Sequence, residues 1–183
     1  MNINTKAVHA GDRKKSADHV PVTTPIYTAT TFFYDSMDQL DRVFGEEEQG
    51  FCYARYDNPT NSALEELVTS LENGHGSVAC ASGMAALQMA ITGALIDRPK
   101  RVVAANALYG ATIKLLNNIL EPFGVDTTYV DICDRDKAAQ TIADRKPGCV
   151  VMETISNPLV RVGEIDRLAE MAKAVGAALI VDN

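Results

Sequence analysis

Five short stretches of this chain carry side chains suited to holding an anion and a flat polar ring. The first is Tyr53-Ala54-Arg55-Tyr56-Asp57-Asn58-Pro59-Thr60, a polar loop ahead of a helical pattern. Arginine presents a planar fork of donors that matches phosphate, and a tyrosine hydroxyl adds one more. The second, Ala81-Ser82-Gly83-Met84-Ala85-Ala86, follows a strand-like run and opens a helix. Free N–H groups at a helix start attract phosphate, and glycine lets it approach closely. In Leu108-Tyr109-Gly110-Ala111-Thr112 an aromatic stands at the mouth of another strand-to-helix turn, where a planar ligand could stack. Glu153-Thr154-Ile155-Ser156-Asn157-Pro158 and Val181-Asp182-Asn183 each end an apolar run. Polar groups beyond strand C-termini gather at the ligand crevice of an open α/β sheet. A carboxylate placed directly after Leu179-Ile180-Val181 is partly desolvated and needs a cationic partner.

Each stretch also has a plainer reading. Gly83 could serve only a tight turn, Tyr109 could be a core aromatic, Asp182 could cap a following helix, and Asn58-Pro59 is an ordinary turn signal. Gly74-His75-Gly76-Ser77-Val78-Ala79 fits the dinucleotide fingerprint but stands at the end of a helix and the start of an extended run, the reverse of the required context. His9, His19 and His75 have no paired ligand and read as surface residues, so no metal site is expected. Cys52, Cys80, Cys133 and Cys149 lie far apart without a C-x-x-C pair, which supports neither disulfides nor zinc. Cys80, Cys133 and Cys149 adjoin apolar runs and read as small core hydrophobes.

The elements that must position these residues alternate from about residue 75 onward. Strands are expected at Ser77–Ala81, Arg101–Ala105, Val125–Asp131, Cys149–Glu153 and Ala178–Asp182, and helices at 83–97, 109–121, 135–145 and 164–175. Ile113, Leu116 and Leu120 mark one apolar face; Ile165, Leu168, Ala172 and Val175 mark another, closed by Gly176. That alternation predicts an α/β fold with a mainly parallel sheet and helices on both faces. Runs such as Val102-Val103-Ala104-Ala105 lack polar alternation because such strands are buried on both sides. The first 60 residues differ. Pro21, Pro25 and five threonines between 23 and 31 resist helix and suggest an irregular arm. Ser36 and Gln39 form a capping-box pair for a short helix at 36–44, and a better helix follows at 61–72 with Leu64, Leu67, Val68 and Leu71 on one face. An irregular arm of that length suits packing on a partner subunit.

Composition bounds the function. Seventeen basic against 24 acidic residues give a net charge of −7, without the basic footprint of a nucleic-acid binder. The apolar share of 46% and charged share of 22% are those of a globular protein. Ser77–Ile96 carries no charge, but its Ala, Gly, Ser and Thr content and the interruption at Ser82-Gly83 read as strand then helix, not a membrane span. No apolar signal segment opens the chain, and a cytoplasmic location is expected.

Taken together, Tyr-x-Arg-x-x-Asn-Pro-Thr, Ser-Gly-Met-Ala-Ala, Tyr-Gly-x-Thr, Glu-Thr-x-Ser-Asn-Pro and Val-Asp-Asn closely resemble the Cys/Met-metabolism family of pyridoxal-phosphate (PLP) enzymes. The resemblance covers essentially the whole chain, including Thr24-Pro25-Ile26-Tyr27 of the arm. It implies a fold-type I, aminotransferase-like architecture, and dimers paired into tetramers in which the arm, residues 1–60, crosses to the neighbour. Residues 61–183 would then be the first part of the large PLP-binding domain. Gly83 and Met84 resemble the backbone donors to the cofactor phosphate, and Tyr53 and Arg55 the pair that reaches the neighbouring subunit's phosphate. Tyr109 resembles the residue stacked on the pyridine ring, Asn157 the donor to its 3-oxygen, and Asp182 the partner of its nitrogen. Glu153 lies in a matching motif without an assigned role.

The implied activity is elimination or replacement at the γ-carbon of sulfur amino acids or O-acylhomoserine. Ala111 stands where methionine γ-lyases carry Cys, which disfavours that subgroup. The family's Schiff-base lysine follows Val-Asp-Asn in a Ser-x-[Ser/Thr]-Lys motif, and none of the eight lysines here (6, 14, 15, 100, 114, 137, 146, 173) lies in that context. The 183 residues alone are therefore expected to be the inactive N-terminal half of an enzyme. A non-catalytic partner subunit and an α/β nucleotide-binding domain are the alternatives.

Overall fold

Valine, alanine and cysteine fill Arg101–Ala105 (β1) and Cys149–Glu153 (β3), and such runs are satisfied only with cover on both faces. In the computed structural model, which describes Asn4 and residues 21–183, they are neighbours in a four-stranded parallel sheet. Asp126–Val130 (β2) and Ala178–Asp182 (β4) flank them in the order β2-β1-β3-β4. The register runs from Arg101↔Asp126 to Ala105↔Val130 and from Cys149↔Ala178 to Glu153↔Asp182. The expected parallel α/β sheet is present. β1 and β3 are buried almost throughout, whereas β2 and β4, the outer strands among the described residues, keep partial exposure.

The chain divides into two compact units, Met1–Ala79 and Cys80–Asn183. His9, His19 and the start of the arm lie outside the described residues. Residues 21–35 hold little regular structure; a single bridge joins Thr31 to Tyr53. Met37–Phe44 (α1) is capped by Ser36, whose side chain accepts from the Gln39 N–H at 3.2 Å. The reciprocal half of the capping box is not made, because the Gln39 amide donates to Glu48 at 2.9 Å. Glu48 also pairs with Arg42 at 3.0 Å. Pro59–Leu71 (α2) starts at an Asn58 cap with proline at its first position, where a missing N–H is harmless. Its apolar face does not pack inward: Leu64, Leu67, Val68 and Leu71 are all exposed.

In the second unit the connecting helices are Gly83–Ala94 (α3), Gly110–Lys114 (α4), Arg135–Arg145 (α5) and Ile165–Ala174 (α6). The chain steps outward from β1 to β2, then back past β1 to β3 and β4. Right-handed crossovers therefore place α4 on one face and α5 and α6 on the other. α3 packs on α4 and β4, and α5 packs on α6, which gives the sheet helices on both faces. Ile91, Leu116, Ile142, Met152, Val102 and Val150 are the large, fully buried side chains of the core. Gly176, with φ +74, ends the last helix as expected.

Several elements depart from expectation. Ser77–Ala81 is not a strand: it is irregular, and four of its five side chains are small residues of low strand propensity. The helix expected over 109–121 is regular only to Lys114, then widens to a π-form over Leu115–Leu120 and tightens over Glu121–Phe123. Bonds from i to i+5 bring Leu115 and Leu120 to one side, and both are buried with Leu116. Cys133 is exposed and Cys80 only half-buried, so neither is a core residue of the kind expected. Cys149 is: burial pushes its thiol up to about 12, which leaves it inert.

At the opposite edge of the sheet from the strand ends, Gly148 makes a tight contact. A Cβ there would lie 2.3 Å from the Pro99 carbonyl and 2.6 Å from Leu95. Gly148→Ala should therefore destabilise the unit by about 1–3 kcal/mol, the usual penalty of overpacking. A lower urea midpoint at unchanged slope is the expected result.

Candidate active site

The chain leaves β1 in one direction and β3 in the other, so the connections after these strands diverge and leave a crevice at the carboxyl edge. Tyr109 lies in the first connection and Asn157 in the second. Glu153 and Asp182 end β3 and β4 as register partners. Paired residues of neighbouring parallel strands share a face, so two carboxylates stand side by side at the crevice.

Glu153 is buried and holds both connections. One carboxylate oxygen accepts the Tyr109 N–H, and the other accepts the Asn157 N–H at 3.0 Å. The loop after β3 is pinned further by buried Ser156, whose N–H donates to the Arg161 carbonyl and whose hydroxyl accepts the Arg161 N–H, each at 2.9 Å. The Arg161 guanidinium reaches Asp131 beyond β2 at 2.6 Å. The Cys133 N–H, and next Arg161, hold the Asp131 carboxyl below its ordinary range. Sequence reasoning left Glu153 without a role, although its place as the last residue of a buried strand was a usable signal.

Asp182 is half-buried, and its carboxyl is raised above the ordinary value, first by burial and then by the charge of Glu153. The site therefore favours either a proton or a cation at Asp182.

The start of α3 is brought to the same edge. Its far end abuts the sheet's amino edge, where Leu95 and Pro99 crowd Gly148 and the Arg98 guanidinium donates to the Gly176 carbonyl at 3.2 Å. Twelve residues of helix span about 18 Å, roughly the ~17 Å length of a five-residue strand. Packed on β4, α3 therefore begins near the carboxyl end. There Ser82 accepts the Ala85 N–H through its hydroxyl and the Ala86 N–H through its carbonyl. That leaves the Gly83 and Met84 N–H groups outside the helical ladder. A Cβ on Gly83 would meet nothing within 4 Å, so the approach is open.

Tyr53 and Arg55 belong to the first unit. The Arg55 guanidinium lies 5.1 Å from the Tyr53 ring centre and 5.4 Å from that of Tyr56. The Gly74-His75-Gly76 segment is irregular and opens no helix, so it is not a dinucleotide loop. Among the described residues no three His, Cys, Asp or Glu side chains gather as a metal site. Nor, among them, is any helix long and apolar enough to cross a membrane.

The fold is an α/β domain whose sheet gathers Glu153 and Asp182 at one carboxyl edge. Residues 4–183 match the family described as Cys/Met metabolism PLP-dependent enzyme, and the chain belongs to that family. An L-methionine gamma-lyase of Treponema denticola is 36% identical over 100% of this chain and 45% of its own length. A homocysteine synthase of Schizosaccharomyces pombe is 35% identical over 100% of this chain and 42% of its own length. The chain thus spans less than half the length of these relatives. In structure it is similar to a Campylobacter jejuni protein described as an O-acetylhomoserine (thiol)-lyase bearing a pyridoxyl-lysine phosphate, with a TM-score of 0.77 at 29% identity. That likeness covers 89% of this chain and 40% of the other, and the fold is that of the fold-type I PLP enzymes.

The residues present fit the cofactor. Free N–H groups and open space at Gly83 suit its phosphate, and the desolvated, anion-flanked Asp182 suits a protonated pyridine nitrogen.

The raised Asp182 carboxyl has a stability consequence. Between 3.8 and its higher folded value the native state holds more protons than the unfolded chain, so stability falls as pH rises through that window. Asp182→Asn removes this loss. The cofactor-free variant should gain on the parent in urea midpoint between about pH 3 and pH 7. A constant difference across that range would show that Asp182 is as well solvated as in the unfolded chain.

Proposed function

We propose that the protein catalyses PLP-dependent elimination or replacement at the γ-carbon of sulfur amino acids or O-acylhomoserine. The observation that carries this reading is the half-buried Asp182 at the end of β4, flanked by Glu153 and raised by burial. Such a carboxylate is stabilised by a pyridinium nitrogen and holds the proton there. Bound PLP supplies an electron sink for charge that develops on the substrate. Tyr109 stacks on the ring, Asn157 donates to its 3-oxygen, and the Gly83 and Met84 N–H groups bind the phosphate. Tyr53 and Arg55 complete the phosphate site of a neighbouring subunit.

The same reading makes residues 1–60 an arm against that neighbour, in dimers paired as tetramers, and residues 61–183 the first part of the large domain. It assigns the protein to the cytoplasm. The relatives' names, a methionine gamma-lyase and a homocysteine synthase, support sulfur amino acids as the substrate class. Ala111 at the Tyr-Gly-x-Thr turn, where methionine γ-lyases carry Cys, weighs against that one subgroup.

Two measurements on a PLP-loaded polypeptide that also carries the family's Schiff-base lysine test the reading. Arg55→Ala removes charge-assisted bonds and should weaken PLP binding by about 2–3 kcal/mol. Unchanged affinity in equilibrium dialysis would place Arg55 outside the site. Asp182→Ala should abolish most turnover even where PLP remains bound, because the ring nitrogen loses its partner. Near-normal turnover at saturating PLP would reduce Asp182 to a cap.

A further inference from the structure

We propose that Glu153 is the positioning residue of this site, a buried carboxylate that fixes the main chains of Tyr109 and Asn157 relative to each other and to Asp182. The inference rests on the functional reading above, in which Tyr109 stacks on the ring and Asn157 bonds its 3-oxygen. Both side chains are exposed, Tyr109 to 49%, so packing does not hold either in place. Their geometry is inherited from the backbone, and in both cases a backbone N–H is bound by Glu153. One bond reaches 44 residues back to the connection after β1 and the other four residues on into the connection after β3, where the topology diverges.

The residue type matters. An ionised carboxylate is acceptor-only and can take an N–H on each oxygen. Glutamine offers one acceptor and would turn its NH₂ toward the other N–H. Aspartate keeps both acceptors but is shorter by one methylene, so it can reach one connection at a time. A buried carboxylate is tolerated when it accepts good hydrogen bonds, and Glu153 makes them with the two N–H groups that set the site. Its register pairing with Asp182 adds a second effect, since its charge faces the carboxylate that would hold the pyridine nitrogen. Small misplacements of such groups weaken binding and chemistry strongly.

The test compares Glu153→Gln and Glu153→Asp with the parent as PLP-loaded proteins. PLP affinity is read by equilibrium dialysis, ring orientation by the induced circular dichroism of the bound cofactor, and folding by far-ultraviolet dichroism. Glu153→Gln should fold, bind PLP at least about tenfold more weakly, and lose most of the induced signal. Glu153→Asp should recover part of both. Parent-like affinity and induced signal in Glu153→Gln would overturn the positioning role and leave the functional reading standing. Failure of the parent itself to bind PLP would overturn both. Should Glu153→Gln not fold, amide exchange in the parent decides. Protection of the Tyr109 and Asn157 amides by at least about tenfold over free-peptide rates supports the role, and unprotected amides overturn it.

Discussion

Because the middles of β1 and β3 are apolar and covered on both faces, and all four strands run parallel, the strands of this sheet cannot be joined by hairpins. Each connection must climb over a face, bury a helix stripe there and return parallel. Ile142, Leu168 and Ala172 are the stripes that α5 and α6 bury in doing so. Every strand then ends at the same edge. Tyr109, Asn157, Glu153 and Asp182, spread over 74 residues of sequence from 109 to 182, are gathered there by connectivity alone. Gly148 shows how tightly the opposite edge is closed, with no room for even a methyl group. That closure orients α3 and so delivers Gly83 and Met84 to the site.

The edge concentrates negative charge, with Glu153 buried and Asp182 half-buried. Glu153 is satisfied locally by two backbone N–H groups, which is how a buried carboxylate is best held. Asp182 is not so held, and its neighbour's charge adds to the burial penalty. The outcome is an asymmetric pair: one carboxylate committed to architecture, the other left with unmet demand for a cation. A helix start with free N–H groups lies at the same edge, so the local field changes sign across the crevice. A ligand with a cationic ring nitrogen and an anionic phosphate matches both ends of that field.

Much of this was legible from residue patterns. β1, β3 and β4 fall on their expected residues, since runs such as Cys-Val-Val-Met are hard to place elsewhere. Gly, Pro, Asn and Asp also mark, by local physics, the strand and helix ends at which the candidate site motifs stand. What patterns could not supply was pairing. Nothing local says that Glu153 reaches back 44 residues to Tyr109, so its place in the motif stayed empty. Ser77–Ala81 failed as a strand because small residues bring little strand preference of their own. Ile113, Leu116 and Leu120 fit an α-helical period well enough to hide a wider turn, which core packing selects.

The first unit makes a complementary point about how a cation can be prepared for a ligand. Arg55 lies over the faces of Tyr53 and Tyr56, and no hydrogen bond or ion pair of its side chain is found among the described residues. A guanidinium held against aromatic rings by cation–π attraction keeps N–H donors for other partners. The fork is thereby ordered in advance, and less rotamer freedom remains to be lost when an anion arrives. In the same unit, Leu64, Leu67 and Leu71 form an exposed apolar stripe on α2, the kind of surface that ordinarily meets another protein surface. An ordered, unspent arginine is what the proposed role requires, since donors meant for a neighbouring subunit's phosphate must be presented outward.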